Sequence, residues 1–201
     1  MSEKIILVGA FHEMVELCED CGFHIAGIID NKLRGDFMGY PIIGTDADAS
    51  QLFLSYSDCG IVLTPDLPAV RIKLSKMYSQ VGFSFASVIS PKSTISRSAV
   101  IGEGTVIQSG VNISAGTIVG NCVKLNTNAN VMHDNKIGDF TTIAPNAVLL
   151  GYVNTGRSCY IGANSTILPN IIIGAGATVG AGAVVTKNIS NSVIVKGIPA
   201  K

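Results

Sequence analysis

The segment "IGEGTVIQSGVNISAGTIVGNCVK" (residues 101–124) consists of four blocks of six residues, and each block opens with an aliphatic side chain. The same period continues without insertion from residue 89 to residue 184, where Thr155 is the one first position that is not Ile, Leu or Val. A period of six fits neither an α-helix nor a single hairpin, whereas it fits short strands and turns that coil and stack on themselves. The repeat therefore predicts a parallel β-helix of about five triangular coils.

Two further positions of the block support this fold. The fifth position is usually small, as expected beside an inward aliphatic side chain at a tight corner. Glycine recurs at the second position, for example at Gly102, Gly120 and Gly138, which predicts backbone conformations that other residues resist. Such a column buries only a narrow core per coil, so we expect its flat faces to pack against copies of the chain as a homotrimer, with active sites between subunits.

Residues 1–85 have a different pattern and predict an α/β domain ahead of a β-helix domain at residues 86–201. The predicted elements alternate, with strands at 4–9, 25–30 and 59–64 and helices at 12–22 and 68–82. This order is typical of a Rossmann-like βαβ arrangement with a parallel sheet, which binds ligands at the carboxyl ends of its strands.

The ends of the first two predicted strands carry the candidate ligand-binding residues of this domain. Asp30 follows the second strand 21 residues after Gly9, a spacing typical of an acid that contacts a ribose. An alternative is that Asp30 only caps its strand. The loop after the first strand, "GAFHEM" (residues 9–14), lacks the G-x-G-x-x-G pattern, so we do not expect a nicotinamide cofactor.

Composition excludes several classes of partner. The chain has 14 basic and 14 acidic side chains, so it carries no net field that would attract nucleic acid or an anionic membrane. The first residues lack the features of a secretory signal, which predicts a cytoplasmic protein. The most apolar segment, residues 171–185, contains four glycines and is too short for a membrane-spanning helix.

His133 is the only histidine after residue 24, and Asp134 follows it. It occupies the third position of its block, which we expect to face outward. An imidazole titrates near neutral pH and can accept a proton from an attacking group, so we predict that His133 is a general base. The polar residues 126–128, one block earlier, are interpreted as part of the same pocket. The other two histidines lie in the α/β domain, so no three-histidine metal site is expected.

Several motifs resemble one family over nearly the whole chain. They are "NTNANVMHD" (126–134), "IGDFTTIAPNAVLLG" (137–151), "YIGANSTILPN" (160–170), "VGAGAVVTKN" (179–188) and the terminal "VKGIPAK" (195–201). Together they resemble the hexapeptide acyltransferases with a left-handed β-helix. Within that family they are similar to the bacterial sugar acetyltransferases, which include sialic acid O-acetyltransferases and the N-acetyltransferases of nucleotide-linked 4-amino-4,6-dideoxy sugars.

The resemblance implies a homotrimeric enzyme that uses acetyl-CoA as co-substrate and no metal. It implies that His133 deprotonates the acceptor while Asp134 orients the ring. The residues that it implies for the nucleotide sugar are Gly9, Ala10, His12, Asp30 and Asn126. Those that it implies for acetyl-CoA are the Gly151 amide, at the oxyanion, then Ala163, Ala181 and Lys187.

The resemblance leaves the acceptor open. The nucleotide-type domain favours N-acetylation of a nucleotide-linked amino sugar for bacterial surface glycan synthesis. The alternatives are O-acetylation of a sialic acid-like sugar and, in a different class, a noncatalytic trimeric sugar-binding scaffold. Two departures from the family pattern are the shortened "GAFHEM" loop and Thr142, where some relatives have a second histidine.

Overall fold

A computed structural model describes residues 3–201 and begins with an α/β unit. Its elements are β1 (Lys4–Val8), α1 (His12–Asp20), β2 (His24–Ile29), β3 (Asp36–Phe37), β4 (Tyr40–Gly44), a 3₁₀ helix (Asp46–Asp48), α2 (Ala49–Tyr56), β5 (Gly60–Leu63) and α3 (Pro68–Val81). The sheet has the order β3-β4-β2-β1-β5, in which β4, β2, β1 and β5 run parallel and β3 is antiparallel.

The two faces of this sheet bury different sets of apolar side chains. Ile5 and Leu7 of β1 pack with Met14 and Val15 of α1 on one face. Alternate residues of the same strand point to the other face, where Ile6 packs with apolar residues of α2 and α3. The sheet is therefore covered on both sides, and the loops after β1, β2 and β5 meet at its carboxyl edge.

The second half of the chain is a column of 18 short strands, each of two residues. They form three parallel sheets, which we call walls A, B and C. Wall A contains β6 (Val88–Ile89), β9 (Val106–Ile107), β12 (Lys124–Leu125), β15 (Thr142–Ile143), β18 (Tyr160–Ile161), β21 (Thr178–Val179) and β23 (Ile194–Val195).

Walls B and C complete the triangle. Wall B contains β7 (Thr94–Ile95), β10 (Asn112–Ile113), β13 (Asn130–Val131), β16 (Val148–Leu149), β19 (Thr166–Ile167) and β22 (Val184–Val185). Wall C contains β8 (Val100–Ile101), β11 (Ile118–Val119), β14 (Lys136–Ile137), β17 (Asn154–Thr155) and β20 (Ile172–Ile173).

The predicted six-residue repeat is present, and the column is longer than the regular blocks of the sequence indicated. Each strand pairs with the strand 18 residues later in the regular part, as Leu125 does with Ile143, so three blocks make one coil. Wall A continues beyond the last regular block, because Val195 of β23 pairs with Val179. The column therefore has about six coils, one more than expected.

The reason for glycine at the second position differs from the prediction. The glycines with positive φ in the repeat stand at the fourth position instead, where Asn, Asp and other residues also adopt a left-handed conformation. At second-position Gly138, a β-carbon would lie 2.5 Å from the carbonyl carbon of Gly156 on the next coil. Glycine is needed there because successive coils approach too closely for a side chain.

The α/β unit packs against wall A. Arg71 of α3 is buried and donates hydrogen bonds to the backbone carbonyls of Pro65, Asp66, Cys122, Phe140 and Thr141. Burial lowers the pKa of this guanidinium to about 10. Because the carbonyls belong to both parts of the chain, Arg71 fastens the α/β unit to the column.

Wall A contributes a buried lysine to the same junction. The Nζ of Lys124 donates to the carbonyl of Thr64 at 2.7 Å and forms an ion pair with Asp66 at 2.9 Å. Burial lowers the pKa of Lys124, and the charge of Asp66 opposes this shift. The loop after β5 is thereby fixed to the β-helix.

Over residues 3–201, no helix combines the length and apolar character needed to cross a membrane.

Candidate active site

His133 and Asp134 lie at a corner of the column that faces away from the α/β unit. We call the turns between walls B and C the BC corner; it includes residues 132–135 and, one coil later, residues 150–153. The corresponding turns between walls A and B form the AB corner, which includes residues 126–129. Because the α/β unit covers wall A, the BC corner is the vertex opposite that unit.

The side chains of His133 and Asp134 are about half exposed and form a hydrogen-bonded pair. Nδ1 of His133 lies 2.9 Å from Oδ2 of Asp134. An ionised carboxylate can only accept, so Nδ1–H donates and the neutral ring has an unprotonated Nε2. Asp134 adopts the left-handed conformation of a fourth position, with φ of 57°, which asparagine and aspartate tolerate well. The fold thus places the acid beside the ring.

The ring of His133 lies against the backbone of Gly151, one coil further along the column. A β-carbon on Gly151 would be 2.6 Å from Cε1 and 2.7 Å from Nε2 of the ring. Tyr152 makes an edge contact with the ring, with centroids 5.3 Å apart. None of the hydrogen bonds among residues 3–201 uses the amide N–H of Gly151. A proton acceptor and a free backbone donor therefore lie next to each other.

A second site lies at the carboxyl edge of the α/β sheet. Gly9, Asp30, Asn31 and Lys73 are among the residues that line a cleft of about 720 Å³ there. His133 is not among its lining residues. The cleft has room for a ligand of nucleotide size.

Asp30 organises the loops around this cleft. Its carboxylate accepts hydrogen bonds from the backbone amides of Ala10, Lys32 and Leu33, at 2.8 to 3.1 Å. Partial burial opposes ionisation, but these three donors together hold the pKa of Asp30 below its usual value. Asp30 therefore has a structural role, and it lines the cleft as well.

The remaining residues predicted in the first loop lie at the same edge. Ala10 contacts Asp30 through its amide. His12 is exposed at the start of α1, and its ring makes an edge contact with Phe37 at 4.5 Å between centroids. Gly9 has φ of 100°, and a β-carbon there would be 2.4 Å from Oγ1 of Thr64. The close approach of Thr64 explains the glycine.

The grouping of Asn126 with His133 in one pocket is wrong for a single chain. Asn126 lies at the AB corner, where it is buried with Nδ2 3.5 Å from Oδ1 of Asp66. A step of one block moves the chain to the next corner, whereas stacking requires 18 residues. Asn126 therefore faces the α/β unit.

The residues predicted to contact acetyl-CoA occupy two corners. Ala163 and Ala181 belong to the AB corner, at the same position in the coil as Thr127 but two and three coils further along. Lys187 is exposed and follows the last strand of wall B, on the BC side. Gly151 belongs to the BC corner with His133. Within one chain, wall B thus separates Ala163 and Ala181 from the residues on the BC side.

Thr142 and Lys124 are junction residues that the sequence interpretation did not assign to the junction. Thr142 is buried and its hydroxyl donates to the carbonyl of Asp66. Lys124 occupies a sixth position, which is outward and mostly occupied by uncharged residues. The sequence alone does not mark Lys124 as a junction residue, because Lys136 occupies the same block position on wall C and is exposed. The histidine absent at position 142 would lie at this junction, remote from His133.

No group of three or more His, Cys, Asp or Glu side chains that could hold a metal ion is found within residues 3–201.

The stacked coils and the six-residue repeat indicate the class of protein. Residues 152–187 match the family described as bacterial transferase hexapeptide (six repeats). This part of the column is therefore similar to the hexapeptide-repeat transferases, the family that the motifs resembled. No curated protein sequence matches the chain.

Solved structures are similar over the whole chain. One is PerB from Caulobacter crescentus in complex with CoA and GDP-perosamine, at 29% identity, with a TM-score of 0.92 and coverage of 100% of this chain and 97% of that one. Another is the acetyltransferase domain of PglB from Neisseria gonorrhoeae with acetyl coenzyme A, at 29% identity, a TM-score of 0.92 and coverage of 100% and 99%. WeeI from Acinetobacter baumannii has 28% identity, a TM-score of 0.87 and coverage of 98% and 99%.

The similar structures include CoA-dependent sugar N-acetyltransferases. Two are variants of perosamine N-acetyltransferase from Caulobacter crescentus in which one histidine is replaced by alanine or asparagine, each with CoA and GDP-perosamine. They have 28% identity and a TM-score of 0.93, and cover 100% of this chain and 96% of that one.

Proposed function

We propose that this protein transfers an acetyl group from acetyl-CoA to the amine of a nucleotide-linked amino sugar of the 4-amino-4,6-dideoxy type. The observation that carries the proposal is the hydrogen-bonded pair of His133 and Asp134, whose ring lies against Gly151. The proposal is supported by the similarity to enzymes solved with CoA and GDP-perosamine. A substrate of this class implies a role in bacterial surface glycan synthesis.

The proposed reaction is a direct attack without an acyl-enzyme. The sugar amine attacks the thioester carbonyl carbon, a C–N bond forms, and the C–S bond breaks as CoA leaves. Nε2 of His133 accepts the proton from the attacking nitrogen and can pass it to the departing thiolate. Asp134 keeps the proton on Nδ1 and stabilises the imidazolium that forms. Much of the rate then comes from holding both substrates together.

The negative charge that develops on the thioester oxygen needs a donor. In this proposal the donor is the amide N–H of Gly151, which is adjacent to the ring and makes no other hydrogen bond in the described part of the chain. Removal of a donor of this kind typically costs about 10² to 10³ in kcat.

We assign nucleotide binding to residues 1–85 and acyl transfer to residues 86–201. The cleft lined by Gly9 and Asp30 would hold the nucleotide, with Ala10 and His12 in the adjoining loop. Asn126 would contact the sugar where the AB corner meets the α/β unit. Ala163, Ala181 and Lys187 would line the path of acetyl-CoA.

The proposed residues require two copies of the chain. Asn126 and the nucleotide cleft lie on the side of wall A, whereas His133 lies at the opposite vertex. A homotrimer of left-handed β-helices would bring the BC corner of one subunit to the AB corner of its neighbour. Each active site would then lie between subunits.

We expect a sedimentation mass near three chains for the purified protein. The physical reason is that each coil buries only a narrow core and that the predicted site is split between two corners. Analytical ultracentrifugation at micromolar concentration measures this directly. A monodisperse monomer that still transfers acetyl groups would contradict the shared site.

The function itself is tested by release of the CoA thiol. Purified protein and acetyl-CoA are incubated with UDP-, dTDP- and GDP-linked 4-amino sugars, and in parallel with free and CMP-linked nonulosonic acids. We expect thiol release and an N-acetylated product with one nucleotide-linked amino sugar. Exclusive reaction with a nonulosonic acid would favour O-acetylation. No binding of acetyl-CoA would instead favour a noncatalytic scaffold.

Replacement of Asp30 by alanine is expected to raise the KM for the nucleotide sugar by roughly 10- to 100-fold. The change removes the carboxylate that is proposed to hydrogen-bond the nucleotide, and a hydrogen bond to a charged group contributes about 1.5–3 kcal/mol. The KM for acetyl-CoA should stay near normal, since the two substrates occupy different parts of the site. Asp58→Ala is the matched control: Asp58 is exposed and pairs with Lys4 at the opposite edge of the same sheet. Steady-state kinetics with each substrate varied would contradict the assignment if both KM values rose equally.

A further inference from the structure

Asn135 is a polar residue in the otherwise largely apolar core of the column. It is fully buried at the fifth position of its block, immediately after His133 and Asp134. Its Nδ2 donates to the carbonyl of Leu149 at 3.3 Å, and its Oδ1 accepts from the amide of Val153 at 2.6 Å. These two residues are the ones that flank Leu150, Gly151 and Tyr152.

Threonines at the fifth position of other blocks make a different pair of hydrogen bonds from that of Asn135. Thr141 donates to the carbonyl 15 residues later, of Gly156, and accepts from the amide 18 residues later, of Cys159. Thr105 makes the same two bonds, to Gly120 and Val123. The buried hydroxyl of each of these two threonines therefore ties its coil to the turn of the next one.

Asn135 makes the bond to the amide 18 residues later but reaches the carbonyl 14 residues later instead of 15. Because its side chain is one atom longer than that of threonine, it encloses a turn of three residues. The carbonyl of Leu150, which threonine would have engaged, makes no hydrogen bond within residues 3–201. The peptide group between Leu150 and Gly151 therefore makes no hydrogen bond through its carbonyl or its amide within residues 3–201. The residues on either side of this turn, Leu149 and Val153, are both hydrogen-bonded to Asn135.

We propose that Asn135 is a positioning residue that holds the Gly151 amide in the orientation needed to bind the thioester oxygen. This inference rests on the proposed function, in which Gly151 supplies the oxyanion donor. Asn135 itself is buried and touches neither substrate. It acts by fixing the residues on both sides of the turn while leaving the donor free.

The expected result for Asn135→Leu, which keeps the side-chain size and removes both bonds, is a fall in kcat of about tenfold. This is less than the roughly 10² to 10³ for losing an oxyanion donor, since the amide is displaced and not removed. Both KM values should stay within about twofold. Asn135→Thr restores the acceptor for Val153 and should recover most of kcat.

The matched control is Thr141→Val. It removes the same kind of buried bond pair at the turn between walls C and A, where no part of the site lies. Thermal unfolding should show similar losses of Tm for Thr141→Val and Asn135→Leu, with kcat lowered only in the latter. Equal falls in kcat would show a structural role and would overturn the proposal, as would full kcat in Asn135→Leu.

Infrared spectra of bound acetyl-CoA, labelled with ¹³C at the thioester carbonyl, give a readout that needs no acceptor sugar. A hydrogen bond from Gly151 lowers the carbonyl stretching frequency in the wild type, and Asn135→Leu should reduce this shift while Thr141→Val should not. If Asn135→Leu fails to fold, Asn135→Ser, which shortens the side chain, takes its place. An equal shift in wild type and variant overturns the role of Asn135 even if acetyl transfer is demonstrated. A wild type that binds acetyl-CoA but acetylates no sugar contradicts the proposed function. In that case the carbonyl frequencies of the wild type and of Asn135→Leu still decide whether Asn135 positions the Gly151 amide.

Discussion

Replacement of His133 by alanine is expected to lower kcat by roughly 10² to 10⁴, which is the contribution typical of a positioned general base. The ring is half exposed and, within residues 3–201, makes its hydrogen bond only to Asp134, so its loss should not affect the fold or the binding of acetyl-CoA. Measurement of kcat, of the KM for acetyl-CoA and of Tm separates these effects. The fall should be confined to kcat and kcat/KM.

Arg157→Ala is the matched control for this change. Arg157 is an exposed third-position residue like His133, but it lies at the turn between walls C and A. Its replacement should leave kcat unchanged. Asp134→Asn should cost less than His133→Ala, because asparagine tolerates the left-handed backbone but cannot act as an ionised acceptor for Nδ1–H.

The pH dependence provides a second check on the role of His133. A protonated imidazole cannot accept a proton, so kcat/KM should fall towards acid pH in the wild type. This part of the profile should be missing in His133→Ala, apart from the titration of the acceptor amine, which both enzymes share. If His133→Ala retained full kcat with the true acceptor, the proton would have to leave through water or another group.

The repeat could be predicted from sequence because it is a local property. Inward residues such as Ile107, Ile143 and Ile161 recur with the period of the backbone and are fully buried. The reason for second-position glycines such as Gly138 could not be predicted, because it depends on the distance between coils. Periodicity also could not show where the column ends, since β23 joins wall A after an irregular turn.

The candidate pair of His133 and Asp134 could be proposed from sequence because the two residues are adjacent. The position of Asn126 could not, because neighbours in a β-helix are 18 residues apart and blocks next to each other in sequence face different directions. Gly151, 18 residues after His133, follows this rule and does lie beside the ring. Asn135 was also missed, since a single amide at a small-residue position has no meaning without its partners at Leu149 and Val153.

Replacement of Gly151 by alanine tests the contact between the ring and the turn. Gly151 does not adopt a positive φ, so alanine fits the backbone and keeps the amide N–H. Its β-carbon, however, would lie 2.6 Å from Cε1 of His133, so the ring must swing towards solvent and lose its place beside Asp134. We expect kcat to fall by roughly 10², near the lower limit for losing the base, with little loss of stability because the ring is free to move.

A double-mutant cycle with His133→Ala shows whether the ring is the cause. In the His133→Ala background there is no imidazole to displace, so Gly151→Ala should change kcat little, and the two effects should be strongly non-additive. The four kcat values are measured with the same nucleotide sugar at saturating acetyl-CoA. If Gly151→Ala lowered kcat by the same factor in both backgrounds, the added methyl group would be acting on substrate binding or on the oxyanion amide. The close contact between His133 and Gly151 would then have no part in catalysis.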